Sequence, residues 1–217
     1  MAVEEEARLV KTLLPVVGIS TAVIVGFAVM AQAFAFSRRV YAQDGQYLVS
    51  VRYPGQWHDL RDFVQPDNPD VMAVYSEVGP DPWALYDWVC HNISYRLDFG
   101  EFWLTPSETL RGYGDCEDTS ILLTSLIRAG GAPNCYVALG SLGNSLENYG
   151  HAWCQLNGQI LKTTFTSARV VHNPAQYCPY VLFDNEQVIE LWPGALGEVF
   201  ELGRDEASKL NLMAGVT

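Results

Sequence analysis

The sequence predicts an α+β fold in which a helix carrying a cysteine packs on an antiparallel sheet, preceded by an N-terminal transmembrane helix. Three observations predict it. Helix signals concentrate between Asp81 and Ala129, strand signals take over from Cys135, and 26 residues without charge lie between Lys11 and Arg38. Helices first and antiparallel strands after is an α+β order.

The uncharged stretch, residues 12–37, exceeds a bilayer's roughly 30 Å hydrocarbon thickness at about 1.5 Å of helix per residue. It is read as a single-pass span contacting membrane lipid. Two other readings stay open. Ala31-Gln32-Ala33 would suit cleavage of a leader, although Glu4-Glu5-Glu6 stands where such leaders are positive. A helix buried in a core is the other. Arg8 and Lys11 nearly balance Arg38 and Arg39, so the side of the membrane is not readable.

Between residues 38 and 80 the chain reads as a connecting segment with one short strand. Gln46–Tyr53 alternates apolar and polar residues, and the stretch up to Asp70 is rich in Pro, Asp and Asn. From 81 to 192 the sequence reads as one domain. Asp81-Pro82 is an N-cap followed by a residue preset for the first turn, and Trp83, Tyr86, Val89, Cys90 and Ile93 recur at helical spacing. Residues 93–98 read as a strand, and Thr105-Pro106-Ser107-Glu108 as a capping box. A helix is expected from about Cys116 to Ala129, with Arg128 in its last turn and Gly130-Gly131 and Pro133 beyond it.

Strands are expected at 135–142, 151–156, 159–165, 180–183 and 187–191. Asn157-Gly158 predicts a two-residue hairpin turn, because both residues tolerate positive φ. Pairing 156 with 159 places His151, Trp153 and Gln155 on one face with Ile160, Lys162 and Thr164. Residues 193–217 read as a tail ending in an amphipathic helix at 205–216, and residues 1–11 as a polar N-terminal tail.

Composition excludes one class of partner. The formal charge is −12, and of 25 acidic residues only Glu4, Glu5 and Glu6 precede Val40. Phosphate binding needs clustered Lys and Arg, so nucleic acid is not an expected partner. Five cysteines are compatible with two disulfides and one thiol, or with five thiols.

Cys116 begins its helix, where unpaired N–H groups and the positive end of the helix dipole lower a thiol pKa and offer donors to an oxyanion. Asp115, Glu117 and Asp118 act in the opposite sense, although Asp115 and Asp118 fall at N-cap and N3, where carboxylates stabilise the helix end. An imidazolium would be the stronger influence, and His151, opening a strand after a Gly-rich loop, is the candidate. A zinc site from Cys116, His151 and Cys154 is disfavoured because 151 and 154 face opposite sides of a strand; no metal or cofactor is expected. His58, His91 and His172 read as surface or core histidines. Cys90, Cys135 and Cys178 read as packed thiols or half-cystines, and Trp103, Tyr149 and Trp153 as core or as the lining of an acyl-acceptor cleft.

From Asp81 to about Ser167 the chain resembles the transglutaminase-like superfamily of papain-fold enzymes, which includes bacterial-type cysteine peptidases. The likeness rests on Pro106-Ser107-Glu108-Thr109-Leu110, on Gly114-Asp115-Cys116-Glu117-Asp118 at a helix start, and on Gly150-His151-Ala152-Trp153. The resemblance implies that Cys116 is a nucleophile and His151 its general base. It implies a thioester formed from a peptide-type amide and resolved by water (hydrolase) or an amine (acyl transferase), with the Cys116 N–H in the oxyanion hole. It also implies an acid on the following strand to orient the imidazole, and by register that position falls at or next to Lys162. Lysine cannot accept that hydrogen bond. Thr164, Asp184 and Glu186 are the substitutes the sequence offers. Without one, the same fold would be a binding or structural subunit of a membrane-associated or particle assembly.

Overall fold

The computed structural model describes residues 40–53, 55–97, 102–143, 148–164, 171 and 173–202. The expected membrane span at 12–37 and amphipathic helix at 205–216 lie outside these residues. Among the described residues no helix is long and apolar enough to cross a membrane.

The segment read as a connection is more structured than its composition suggests. Strands β1 (Val40–Gln43), β2 (Gln46–Val49) and β3 (His58–Asp59) form a small antiparallel sheet, followed by a 3-10 turn at Leu60–Phe63 and helix α1 (Pro69–Val78). Asn68 caps α1 by accepting from Asp70 N. Val49, Val51 and Leu60 are fully buried, so this segment supplies core for the domain after it. Its apolar residues are spread among turn formers, which hides them from a periodicity reading.

Helix α2 (Pro82–Asn92) starts at Asp81, whose carboxylate accepts from Trp83 N. After the two-residue strand β4 (Ser94–Tyr95) come the one-turn helix α3 (Pro106–Thr109) and strand β5 (Tyr113–Gly114), which pairs parallel to β4. At α3, Glu108 Oε2 accepts from Thr105 N at 2.7 Å and from Thr105 Oγ1 at 2.8 Å. Arg52 grips the same carboxylate with two bonds of 2.8 Å and donates to the Trp103 carbonyl at 2.7 Å. That clamp fastens the strand-rich N-terminal segment beside the cysteine helix and holds Glu108 down to about 2.

The cysteine helix, α4 (Cys116–Ala129), is buried from Cys116 through Ile127. It packs on a five-stranded antiparallel sheet in the order β10-β9-β6-β7-β8, formed by β6 (Cys135–Gly143), β7 (Asn148–Leu156), β8 (Gln159–Leu161), β9 (Tyr177–Phe183) and β10 (Val188–Glu190). Nine residue pairs join β6 to β7 without interruption, with Gly140 opposite His151 and Leu139 opposite Ala152. The β7–β8 turn has Asn157 at φ 50° and Gly158 at φ 80°, as the hairpin reading requires. Pairing runs from Leu156–Gln159 to Cys154–Leu161 and stops, so 162–164 leave the ladder.

Strand alternation divides the core by sheet face. Val137, Leu139 and Ala152 pack with Cys116, Ile121 and the short helix α5 (Ala195–Glu201). Cys135 and Cys154, whose sulfurs are 3.6 Å apart, pack with α1, α2 and the rest of α4. Ala138, Leu142, Trp153 and Tyr177 form a separate cluster on the other face.

Candidate active site

The N-terminus of α4 is built by its carboxylates. Asp115 accepts from Glu117 N, and Asp118 accepts from Asp115 N, each at 3.1 Å. The second oxygen of Asp118 accepts from Leu104 N at 2.8 Å, tying the loop before α3 to the helix tip. Both aspartates therefore serve the helix end, at the cap positions expected for them.

Glu117 does something else. Cys116 Sγ donates to Glu117 Oε2 at 2.9 Å, with the cysteine fully buried and the glutamate 1 % exposed. The sequence reading grouped Glu117 with its neighbours as a general negative influence. No spacing signal marks a side chain at the second helical position as folding back onto the residue beside it. Asp115, Cys116 and Glu117 bring one donor atom each within 4.8 Å of one another, but those atoms serve the cap and the thiol bond.

His151 is buried, its ring 6.2 Å from that of Trp153 and 6.0 Å from that of Tyr177. Its neighbour Ala152 packs with Cys116, so alternation sets the imidazole one step out of phase with the contact to the sulfur. The two regions come together at a small cavity lined by Glu117 and His151, with Trp103, Leu139, Gly150, Val199 and Phe200 completing the wall. Trp103 is 2 % exposed, stacks on Phe183, and packs edge-on to Phe63. Its indole Nε1–H is buried with no acceptor among the described residues. Sequence alone placed Trp103 only as core or cleft, and the orientation of its N–H is a tertiary fact.

Lys162 is half-buried just past the end of β8. Tyr86 Oη donates to its carbonyl at 2.8 Å, and Thr119 and Thr163 share a side-chain hydrogen bond of 2.7 Å. These contacts pin the 162–163 backbone to α2 and to the first turn of α4. Burial pulls the amine down to about 8, and the charge of Cys116 acts on it in the opposite, raising sense. The nearby Cys90 thiol, which reaches the Thr163 carbonyl at 3.8 Å, is pushed up to about 11 by burial.

Two of the three substitutes for an orienting acid, Asp184 and Glu186, are engaged by Arg128. Asp184 is fully buried against Arg128, 2.9 Å away, and accepts from Glu186 N and Gln187 N. Glu186 reaches the same arginine at 3.3 Å, and Thr164 Oγ1 is buried with no partner among the described residues. His58 packs edge-on to Phe63, His91 contacts the Asp87 carbonyl, and His172 lies outside the described residues. Tyr149 is buried, and Cys178 is exposed.

Among solved structures, the chain is similar to calcium-bound LapG of Legionella pneumophila at 16% identity and a TM-score of 0.44, covering 65% of this chain and 94% of that one. EGTA-treated LapG from the same organism gives 16% identity and 0.43, covering 70% and 95%. No curated protein sequence matches. The family model described as the transglutaminase-like superfamily matches residues 80–159, from the residue before the Asp81 cap through the β7–β8 hairpin. The cysteine of α4 and the histidine of β7 both lie inside the span that is similar to the transglutaminase-like superfamily.

Proposed function

We propose that the protein is a cysteine-dependent hydrolase or acyl transferase acting on peptide-type amides, tethered to a membrane by residues 12–37. The observation that carries this reading is the cavity that Glu117, next to the Cys116 sulfur, lines together with His151 and Trp103. Cys116 Sγ attacks the amide carbonyl carbon, and the thiol proton passes to His151 and then to the departing amine. The thioester is resolved by water or by a primary amine. The developing oxyanion takes hydrogen bonds from the Cys116 N–H at the helix start and from the Trp103 indole N–H. For His151 to act as base, its ring must replace Glu117 as the partner of the sulfur.

The test is turnover of peptide amides, with and without an added primary amine, by the wild type and by Cys116→Ala and His151→Gln. Loss of both hydrolysis and amine incorporation in the two variants supports the reading, together with capture of the thioester by hydroxylamine. A wild type that neither turns over amides nor alkylates Cys116 faster than Cys90 rejects it. Mass spectrometry of the intact N-terminus tests the anchor, which a chain beginning near Phe34 rules out.

A second reading has its own support. The sulfur is engaged by a carboxylate, and a lysine stands where the resemblance implies an acid, which suits a fold retained as a binding or structural subunit of an assembly. Slow, equal alkylation of Cys116 and Cys90 favours that role.

A further inference from the structure

We infer that helix α5 is a built-in plug on the candidate active site, and that its last turn must withdraw before a peptide-type substrate can reach Cys116. The inference rests on reading Cys116 as the nucleophile, and it concerns how that site is opened and closed.

The site is closed as it stands. Cys116 is fully buried, and Glu117 and His151 are 1 % and 3 % exposed. The cavity that Glu117 and His151 line is about 10 Å³, room for about one water and far too small for a peptide. Val199 and Phe200, from the last turn of α5, form one side of it, and the Phe200 ring lies 6.0 Å from that of Trp103. The other wall residues are held by stronger means: Leu139, Gly150 and His151 by the β6–β7 ladder, Glu117 by the capped start of α4, and Trp103 by Arg52 at its carbonyl. Among the described residues, α5 is therefore the wall element that can give way.

The helix is held loosely. Seven residues are too few for a helix to be stable by itself. Its start has no side-chain cap, because Gly194, at φ 86°, takes the N-cap position and lets the chain turn there. Glu201 stands in the last turn, where the helix dipole disfavours an acid. Gly197 lies on the exposed face in the middle and lowers helix propensity, although a Cβ there would meet nothing within 4 Å. The first turn is fixed by Ala195 and Leu196, both fully buried, and by one tether, the 2.8 Å bond from Leu196 N to Glu190 Oε1. The last turn rests on Val199 and the half-buried Phe200, the two residues at the cavity. Opening of that turn alone uncovers the site and leaves the core in place.

The experiment measures Cys116 alkylation by iodoacetamide and kcat/KM for a peptide amide in the wild type, Phe200→Ala, Glu190→Ala and Gly197→Ala. Buried Cys90 and Cys135 serve as internal references, read by peptide mass spectrometry. Phe200→Ala removes the ring from the wall and should speed Cys116 labelling about tenfold. Glu190→Ala removes the tether and should speed it about fivefold. Gly197→Ala strengthens the helix from its solvent face and should slow labelling about fivefold. The kcat/KM should move in the same direction each time, with Cys90 and Cys135 at their wild-type rates. If the loosening variants expose all three thiols together, they have unfolded and Gly197→Ala decides: slowing confined to Cys116 supports the plug. A Cys116 rate unchanged in Gly197→Ala overturns it, and so does a kcat/KM that ignores α5; amide turnover that persists then leaves the enzyme reading standing. Labelling that follows α5 in a protein without amide turnover supports the plug and rejects the enzyme reading.

Discussion

The Cys116 sulfur donates its hydrogen bond to the carboxylate of the next residue, Glu117, and both side chains are sealed from solvent. A thiol that donates to a carboxylate is held in its protonated form, because ionisation would set two negative charges about 3 Å apart. At this helix start the dipole and the adjacent side chain therefore act against each other.

Glu117→Gln should release that hold. The amide keeps a group near the sulfur but carries no charge, so the alkylation midpoint of Cys116 should fall by about one pH unit. Labelling at pH 7 should rise about tenfold. A midpoint equal to or above that of the wild type would show that the carboxylate does not control the thiol.

Lys162→Met should make the protein more stable at neutral pH. Burial depresses the folded-state value to about 8 against 10.5 for the unfolded chain. A base depressed by folding contributes its full penalty below pH 8, and the penalty fades as pH rises through 10.5. The gain in urea midpoint should be largest below pH 8 and gone only above about pH 11.

Arg52→Met should loosen the frame of the site. The two bonds to Glu108 and the one to the Trp103 carbonyl are charge-assisted, and their loss should cost about 1.5–3 kcal/mol. In the wild type, Glu108 is held at about 2, below its ordinary 4.5. Its contribution is complete above pH 4.5 and is lost as pH falls toward 2. The variant should show a shallower loss of stability in that window when denaturant midpoints are followed from pH 6 to pH 3.

Gly140→Ala tests the close packing opposite His151. A Cβ at this position would lie 2.1 Å from the Cys178 carbonyl oxygen and 2.8 Å from the Trp153 ring, and the oxygen belongs to backbone. The strands must separate, at a cost of about 3 kcal/mol or more by the usual scale of overpacking. A variant with an unchanged thermal midpoint would place that packing wrongly.

The elements surrounding the site were legible because each has a local cause. The bounds of α4 follow from a carboxylate cap and from Gly130 beyond Ala129, and the β7–β8 hairpin follows from two residues able to hold positive φ. The core-forming role of 38–80 was not legible, because Val49, Val51 and Leu60 find their partners in residues far along the chain. The extent of β8 was overread. Its period-2 pattern continues to Phe165, but pairing ends at Leu161 where Tyr86 and Thr119 capture the backbone and side chains that follow.

The sequence by itself determined that a cysteine would start a helix and that a histidine would lie on a strand after it, although β7 begins at Asn148 and not at His151, and it carried motifs that resemble one superfamily. Those facts are written in caps, turns and motifs a few residues long. Only the tertiary structure decided what the sulfur touches, where the Trp103 N–H sits and which side chain holds the Lys162 carbonyl. Such choices depend on side-chain rotamers selected by packing and charge between segments distant in the chain, and no local pattern encodes them.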